Sequence, residues 1–225
     1  DNAVQVCKNS GLNLILDLHK ASGFSFDKGE MESGLFGNPE YEKLFMDLWI
    51  VMAARYGKIG RNVSFELLNE VTSPSFNDGW MALAEKTITE IRRIAPNFQI
   101  LSVGYWNNSP SAVKDIIPPP DSSVYYNFHC YSPMCFTHQG AGSLDGMSAE
   151  FRMPYPFDYD DPVCSGAKEM YRKMQTPWPS GKIPEDFFDK CFESAIETAE
   201  KRNVILYCGE YGVIDRADPE STLNC

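Results

Sequence analysis

The chain has 225 residues, 43% hydrophobic and 13% aromatic, which is enough for one sizeable core and for one domain more readily than two. A net charge of −11 and a pI near 4.7 argue against a nucleic-acid or anionic-membrane partner and are compatible with a neutral substrate. No apolar run is long enough to cross a bilayer.

Residues 1–10 are predicted as the end of a helix, with Gly11 as its C-cap. Leu12 to His19 follows as a strand ending in the polar residues Asp17 and His19. A loop rich in glycine and aromatics runs from Lys20 to Asn38. Pro39 then sits in the first turn of a helix that continues to Tyr56 and stops at Gly57. Its apolar stripe is read as Tyr41, Phe45, Leu48 and Met52, and Trp49 is read as packing.

Val63-Ser64-Phe65-Glu66-Leu67-Leu68-Asn69-Glu70 is a largely apolar stretch ending in an amide and a carboxylate, as expected of a strand covered on both faces. Asn77 or Asp78 is expected to cap the next helix. Its buried positions are read as Trp80, Leu83, Ala84, Thr87, Ile88, Ile91 and Ile94, and Pro96 ends it. Phe98 to Gly104 is a third strand leading to Tyr105 and Trp106, and Ser109 to Ile117 is read as a short helix before Pro118-Pro119-Pro120.

Ser123 to His129 is the fourth strand, with Tyr131 just beyond. The excursion from Ser132 to Ile183 is long for a compact domain, and its aromatic content argues for an ordered wall. Trp178, within it, reads as a subsite aromatic or a loop anchor. Glu185 to Arg202 is a helix with Phe188, Cys191, Phe192, Ala195, Ile196 and Ala199 on one face. Asn203 to Gly212 closes the series as a strand ending on Glu210 between glycines.

Seven scattered cysteines without C-x-x-C spacing form neither a zinc framework nor an evident disulfide scaffold. Most read as small buried hydrophobes, and a bridge from Cys130 or Cys135 to Cys164 remains an option. The chain opens on Asp1-Asn2-Ala3, without Met, a basic n-region or an apolar h-region. That opening reads as internal, so the lack of a visible signal peptide carries little weight.

Strands alternating with helices imply parallel strands under covering helices. The fold class is α/β, a (β/α)8 TIM barrel, which needs roughly 250 residues when closed. With five strands counted, residues 1–225 are read as a single partial domain, about strands 3 to 7 with their helices, short of two strands at the front and one at the back. The alternative is a complete open doubly wound sheet, but no Gly-x-Gly-x-x-Gly turn follows the first strand.

In a parallel barrel the C-terminal strand ends carry the chemistry. Here they offer Asp17 and His19, Asn69 and Glu70, Trp106, His129 and Tyr131, and Glu210. One strand-end Glu is commonly just solvated. Two in matching contexts are what a glycosidase needs, one to protonate the leaving oxygen and one to attack the sugar or activate water. Trp106 reads equally as a cap on the core or as a sugar-stacking platform. Asp17 and His19 also read as half of a metal site, against which stand the three histidines and the lack of a second His-x-His.

Leu16-Asp17-Leu18-His19, Leu68-Asn69-Glu70, Phe128-His129-Cys130-Tyr131 and Gly209-Glu210-Tyr211-Gly212 together resemble glycoside hydrolase family 5, the cellulase-like (β/α)8 enzymes. The four stretches stand in the family's order and span essentially the whole chain. The resemblance implies that Glu70 is the general acid/base and Glu210 the nucleophile of a retaining mechanism. It implies that Asn69 holds the sugar 2-hydroxyl, that His129 and Tyr131 line the catalytic subsite, and that His19 meets the glycone side. Phe136-Thr137-His138-Gln139-Gly140-Ala141 resembles a segment of some bacterial endoglucanases, which adds His138 as a substrate residue.

Three departures stand out. An Arg from an early strand and a Trp from the last strand are missing, and Lys20 stands where some members carry a second His. Without the strands that close a barrel the chain would expose sheet edges and part of its core, so expressed alone it is expected to fold poorly or to be inactive. The expected activity is an endo-β-1,4-glucanase on a polysaccharide substrate, extracellular, monomeric, and without cofactor, metal, nucleic-acid or membrane partner. The alternatives are a β-mannanase, a xyloglucanase, a β-1,3-glucan-active relative, a metal-dependent hydrolase on the same fold, or a non-catalytic glycan-binding barrel.

Overall fold

The computed structural model describes residues 2–25, 34–59 and 62–225; residues 26–33 of the predicted loop lie outside them. Five strands form one sheet: β1 (Leu14–Asp17), β2 (Val63–Glu66), β3 (Gln99–Ser102), β4 (Val124–Cys130) and β5 (Leu206–Tyr211). Their spatial order is β1-β2-β3-β4-β5. Pairing is parallel from β1 to β4, with Leu16 opposite Phe65 and Asp17 opposite Glu66. The Tyr126 N–H donates to Ile205 O just before β5 (2.9 Å). Strict sequential order without a reversal is the topology of a (β/α)8 barrel, not of a doubly wound sheet.

The chain divides into two compact units. The first is residues 1–129 with 192–209, and the second is residues 130–191 with 210–225.

In the first unit, α1 (Asn2–Asn9) ends in a Schellman motif. Gly11 at φ +66° lets the Leu12 N–H reach Cys7 O (2.8 Å) and its own N–H reach Lys8 O (3.3 Å). Helix α2 (Pro39–Tyr56) has the predicted bounds. Asn38 Oδ1 accepts from the Glu40 and Tyr41 amides, and Pro39 occupies the first turn, where no donor is needed. Its buried stripe is Phe45, Trp49, Ala53 and Tyr56, rotated from the predicted one. Leu48 lies exposed, and Tyr41 and Met52 are half-buried. Trp49 decides the rotation: its ring packs on Phe65 (centroids 4.9 Å apart) and its indole N–H donates to Leu67 O (3.1 Å).

Helix α3 (Asn77–Ile94) has no side-chain cap. The expected cap, Asn77, is already its first residue. A 3-10 turn at Pro74–Phe76, capped by Ser73, runs straight into it. Met81 joins its buried face and Ile94 is exposed. Trp80 repeats the device of Trp49, its indole N–H donating to Val103 O (2.9 Å) while the ring is fully buried. Two helix tryptophans thus tie down the chain just past the ends of β2 and β3, the segments that continue to Glu70 and Asn107.

Strand β2 is buried along its whole length, as a parallel-sheet strand should be. The residues around β5 are wetter, with Ile205, Tyr207 and Tyr211 exposed, and on helix Phe187–Arg202 only Ala195 and Ala199 of the predicted face are buried. Phe192 is half-buried against Phe128 (5.2 Å), and Ile196 is exposed. Among the described residues β5 ends the strand order and has a sheet neighbour on one side only.

The second unit has its own core around Cys135, Phe136, Cys164, Ala167 and Met170, all fully buried, so the long excursion is an ordered wall. Trp178 is a loop anchor. Its indole N–H donates to Tyr159 O (3.2 Å) and its ring stands edge-on to Tyr159 and Tyr171. All seven cysteines are free thiols, so the optional bridge to Cys164 is not formed, and burial pushes the Cys135 thiol up to about 11. Among the described residues no helix is long and apolar enough to cross a membrane.

Candidate active site

Strand pairing carries the first cluster past the end of the sheet. The Leu18 N–H donates to Glu66 O (3.3 Å) and the Asn69 N–H to Leu18 O (3.0 Å), extending the β1–β2 ladder. That fixes Asn69 and Glu70 on a rigid backbone. Asn69 is 2% exposed, and its Oδ1 has no hydrogen-bond partner among the described residues.

Glu70 is held at both oxygens. Asn107 Nδ2 donates to Oε2 (2.9 Å), and His129 Nδ1 lies 3.0 Å from Oε1. The His129 side chain is 1% exposed and that of Glu70 13%. On the other side of the ring, His129 Nε2 faces Glu66 Oε1 at 3.7 Å, and that oxygen accepts from Asn127 Nδ2 (2.7 Å). Asn127 and His129 are two residues apart on β4 and so point to one face of the sheet, where both meet Glu66. Phe128, between them, points the other way and packs on Phe192.

Glu66, Asn107 and Asn127 were not among the residues predicted for the site. Glu66 carried a signal, since a Glu inside an apolar strand is buried only with partners. Asn107 carried a weaker one in the pair Asn107-Asn108 after a strand end, because Asn tolerates left-handed backbone.

His19 pairs with Asp17 at the end of β1 and is largely exposed. Trp106 is 57% exposed, which removes the reading as a core cap; the Tyr105 ring stands edge-on to it, centroids 5.5 Å apart.

The second unit brings together the other predicted residues. The Tyr131 hydroxyl donates to Glu210 Oε2 (3.0 Å), and the His138 ring stands edge-on to the Tyr131 ring (centroids 5.3 Å). Thr137 secures both neighbours: its hydroxyl donates to Tyr131 O (2.5 Å) and lies 2.9 Å from His138 Nδ1. Strand end, tyrosine and histidine are thereby held as one piece.

Chemically, the first cluster is a carboxyl group held by an amide donor and an imidazole and shielded from water. The second is a carboxylate with a phenol donor. Residues 1–224 match the sequence model of the family described as Cellulase (glycosyl hydrolase family 5). Cellodextrinase A of Ruminococcus flavefaciens is 42% identical over 223 residues, covering 99% of this chain and 60% of that protein. Endoglucanase C of Acetivibrio thermocellus is 34% identical over 229 residues, covering 99% and 65%. The chain thus spans less than two thirds of the length of these relatives. Among solved structures, endoglucanase Cel5A from Thermotoga maritima matches with a TM-score of 0.71 at 22% identity, covering 100% of this chain and 62% of that one. The cellulose synthase subunit Z of Clostridioides difficile matches with a TM-score of 0.74 at 23% identity, covering 99% and 63%. At these identities the structural likeness speaks to the fold.

Proposed function

Because the chain belongs to glycosyl hydrolase family 5, the cellulase family, we propose that it carries the catalytic glutamates of a retaining β-glycosidase. The substrate is a β-1,4-glucan, cut internally in cellulose or related β-glucans, and the relatives' names, cellodextrinase and endoglucanase, support that class. The observation that carries the reading is the different setting of the two strand-end glutamates: Glu70 between an amide and a buried imidazole, Glu210 under a tyrosine hydroxyl.

In this reading Glu210 attacks the anomeric carbon while Glu70 gives its proton to the departing glycosidic oxygen, which leaves as the free hydroxyl of the shortened chain. Water then attacks the glycosyl ester, Glu70 takes its proton, and Glu210 leaves as a carboxylate. The mechanism requires the two carboxyl groups ~5–5.5 Å apart. Asn69 holds the sugar 2-hydroxyl, and Trp106 offers a stacking face. His19, His129, Tyr131 and His138 line the substrate's path. A polymeric glucan lies outside the cell, so the protein is placed there, as a monomer.

The test is reducing-sugar release by the full-length parent protein from carboxymethylcellulose, mixed-linkage glucan, xyloglucan, mannan and laminarin, with Glu210→Ala as control. Activity on the first two that vanishes in the variant supports the reading. Activity confined to mannan keeps the mechanism and overturns the substrate, and no activity on any polymer overturns the endo-glucanase.

A further inference from the structure

Three consecutive residues other than glycine, Trp106, Asn107 and Asn108, have φ of +48°, +53° and +58°. L-residues visit this left-handed region as single residues, rarely as a run, because Cβ crowds the following carbonyl oxygen. A run of three persists only where its surroundings over-determine it. They do so here. The fully buried Asn108 accepts the Gly104 N–H at Oδ1 (3.0 Å), the Asn107 N–H donates to Val71 O (2.9 Å), and the Ser109 N–H donates to Tyr105 O (3.1 Å). Gly104 gives the turn its room, since a Cβ there would meet the Ala112 Cβ at 2.8 Å. The anchor on Val71 is the residue directly after Glu70. The strained turn and the carboxyl group are therefore locked to one stretch of backbone, and the product of the lock is the Asn107 amide 2.9 Å from Glu70 Oε2.

We propose that Asn107 is a positioning residue for the acid/base step: its amide pins Oε2 and so sets the direction in which Glu70 presents its proton. This rests on the reading of Glu70 as the acid/base. Without the pin, the hydrogen bond left to the carboxyl group among the described residues of the first unit is the His129 contact on Oε1, and the group can turn about its last bond. Misorientation then lowers the rate of proton delivery to the leaving oxygen.

The experiment compares Asn107→Gly, which keeps the left-handed backbone and loses the amide, with Asn107→Asp, which keeps the shape and replaces the donor by a like charge. Turnover is measured on cello-oligosaccharide, a poor leaving group, and on 2,4-dinitrophenyl β-cellobioside, which needs no protonation. The expected result for both variants is a roughly 10- to 100-fold loss of kcat on the oligosaccharide. The loss on the activated glycoside should be under about threefold, since its departure owes little to general acid catalysis. Equal losses on both substrates would make Asn107 merely structural and overturn the proposal, as would no loss on either. Glu70→Gln in the same assay separates the two levels. If it lacks the leaving-group dependence, the acid/base reading itself falls. If it shows that dependence and Asn107→Gly does not, only the positioning role falls.

Discussion

The Tyr131 hydroxyl donates to Glu210 Oε2 at 3.0 Å, within a segment that Thr137 ties to the His138 ring. A hydrogen bond to a charged acceptor contributes about 1.5–3 kcal/mol. If Glu210 is the nucleophile, this bond aims the attacking carboxylate. Tyr131→Phe should therefore cut kcat/KM by roughly 10- to 100-fold while leaving the far-UV spectrum and melting temperature near those of the parent. Trapping with a 2-fluoro glycoside should slow in step, with the label still on the peptide holding Glu210. A variant with parental kinetics would sever Tyr131 from the chemistry.

Gly209, one residue before Glu210, faces the buried Asn127 side chain. A Cβ at Gly209 would lie 2.5 Å from Asn127 Oδ1 and 2.8 Å from Nδ2. Asn127 cannot swing away freely, because it is fully buried and its Nδ2 donates to Glu66. Gly209→Ala should cost about 1–3 kcal/mol of stability by overpacking. In a chain of this size that is a fall in melting temperature of roughly 2–12 °C. Calorimetry or thermal circular dichroism checks it, and an unchanged transition would show that the neighbouring amide yields without cost.

Local signals gave up most of the architecture in advance. Asn38, Pro39 and Gly57 bound α2 because capping depends on residues adjacent in sequence. Gly11 closes α1 for the same reason. The stripe of α2 was misread because Leu48 and Trp49 are equally apolar by pattern, and only the Leu67 carbonyl one strand away selects Trp49. The same limit hid Asn107 and Asn127. Each matters through one bond to a glutamate far away in sequence, Glu70 or Glu66, and nothing near either residue encodes that partner. Glu70 and Glu210 stand out as candidates in the sequence because a carboxylate closing an apolar strand is visible on its own. Trp178 was ambiguous because anchor and platform differ only in where the ring faces, and the Tyr159 carbonyl settles that.

Arg92 grips Asp121 through two bonds, Nε to Oδ2 at 2.6 Å and Nη2 to Oδ1 at 3.1 Å, tying α3 to the turn that precedes β4. Partial burial works to raise the Asp121 value. The Arg92 hydrogen bonds, the Ser123 amide and the Arg92 charge outweigh it, so Asp121 titrates below the ordinary aspartate value. A carboxylate depressed in the folded state contributes stability that is fully present above its unfolded value, about 3.9, and is lost as pH falls through the lower folded value. The Asp121 side chain is 35% exposed, so water screens the pair and the contribution is about 0.5–1 kcal/mol. Asp121→Asn should therefore be less stable than the parent by about that amount at pH 7 and at pH 5. The gap should close progressively below pH ~4, as the parent's own carboxylate takes up its proton. Urea denaturation of both proteins at pH 7, 5 and 3.5 reads this directly. A gap that stays constant to pH 3.5, or widens on acidification, would show that the Arg92 pair does not lower the Asp121 titration.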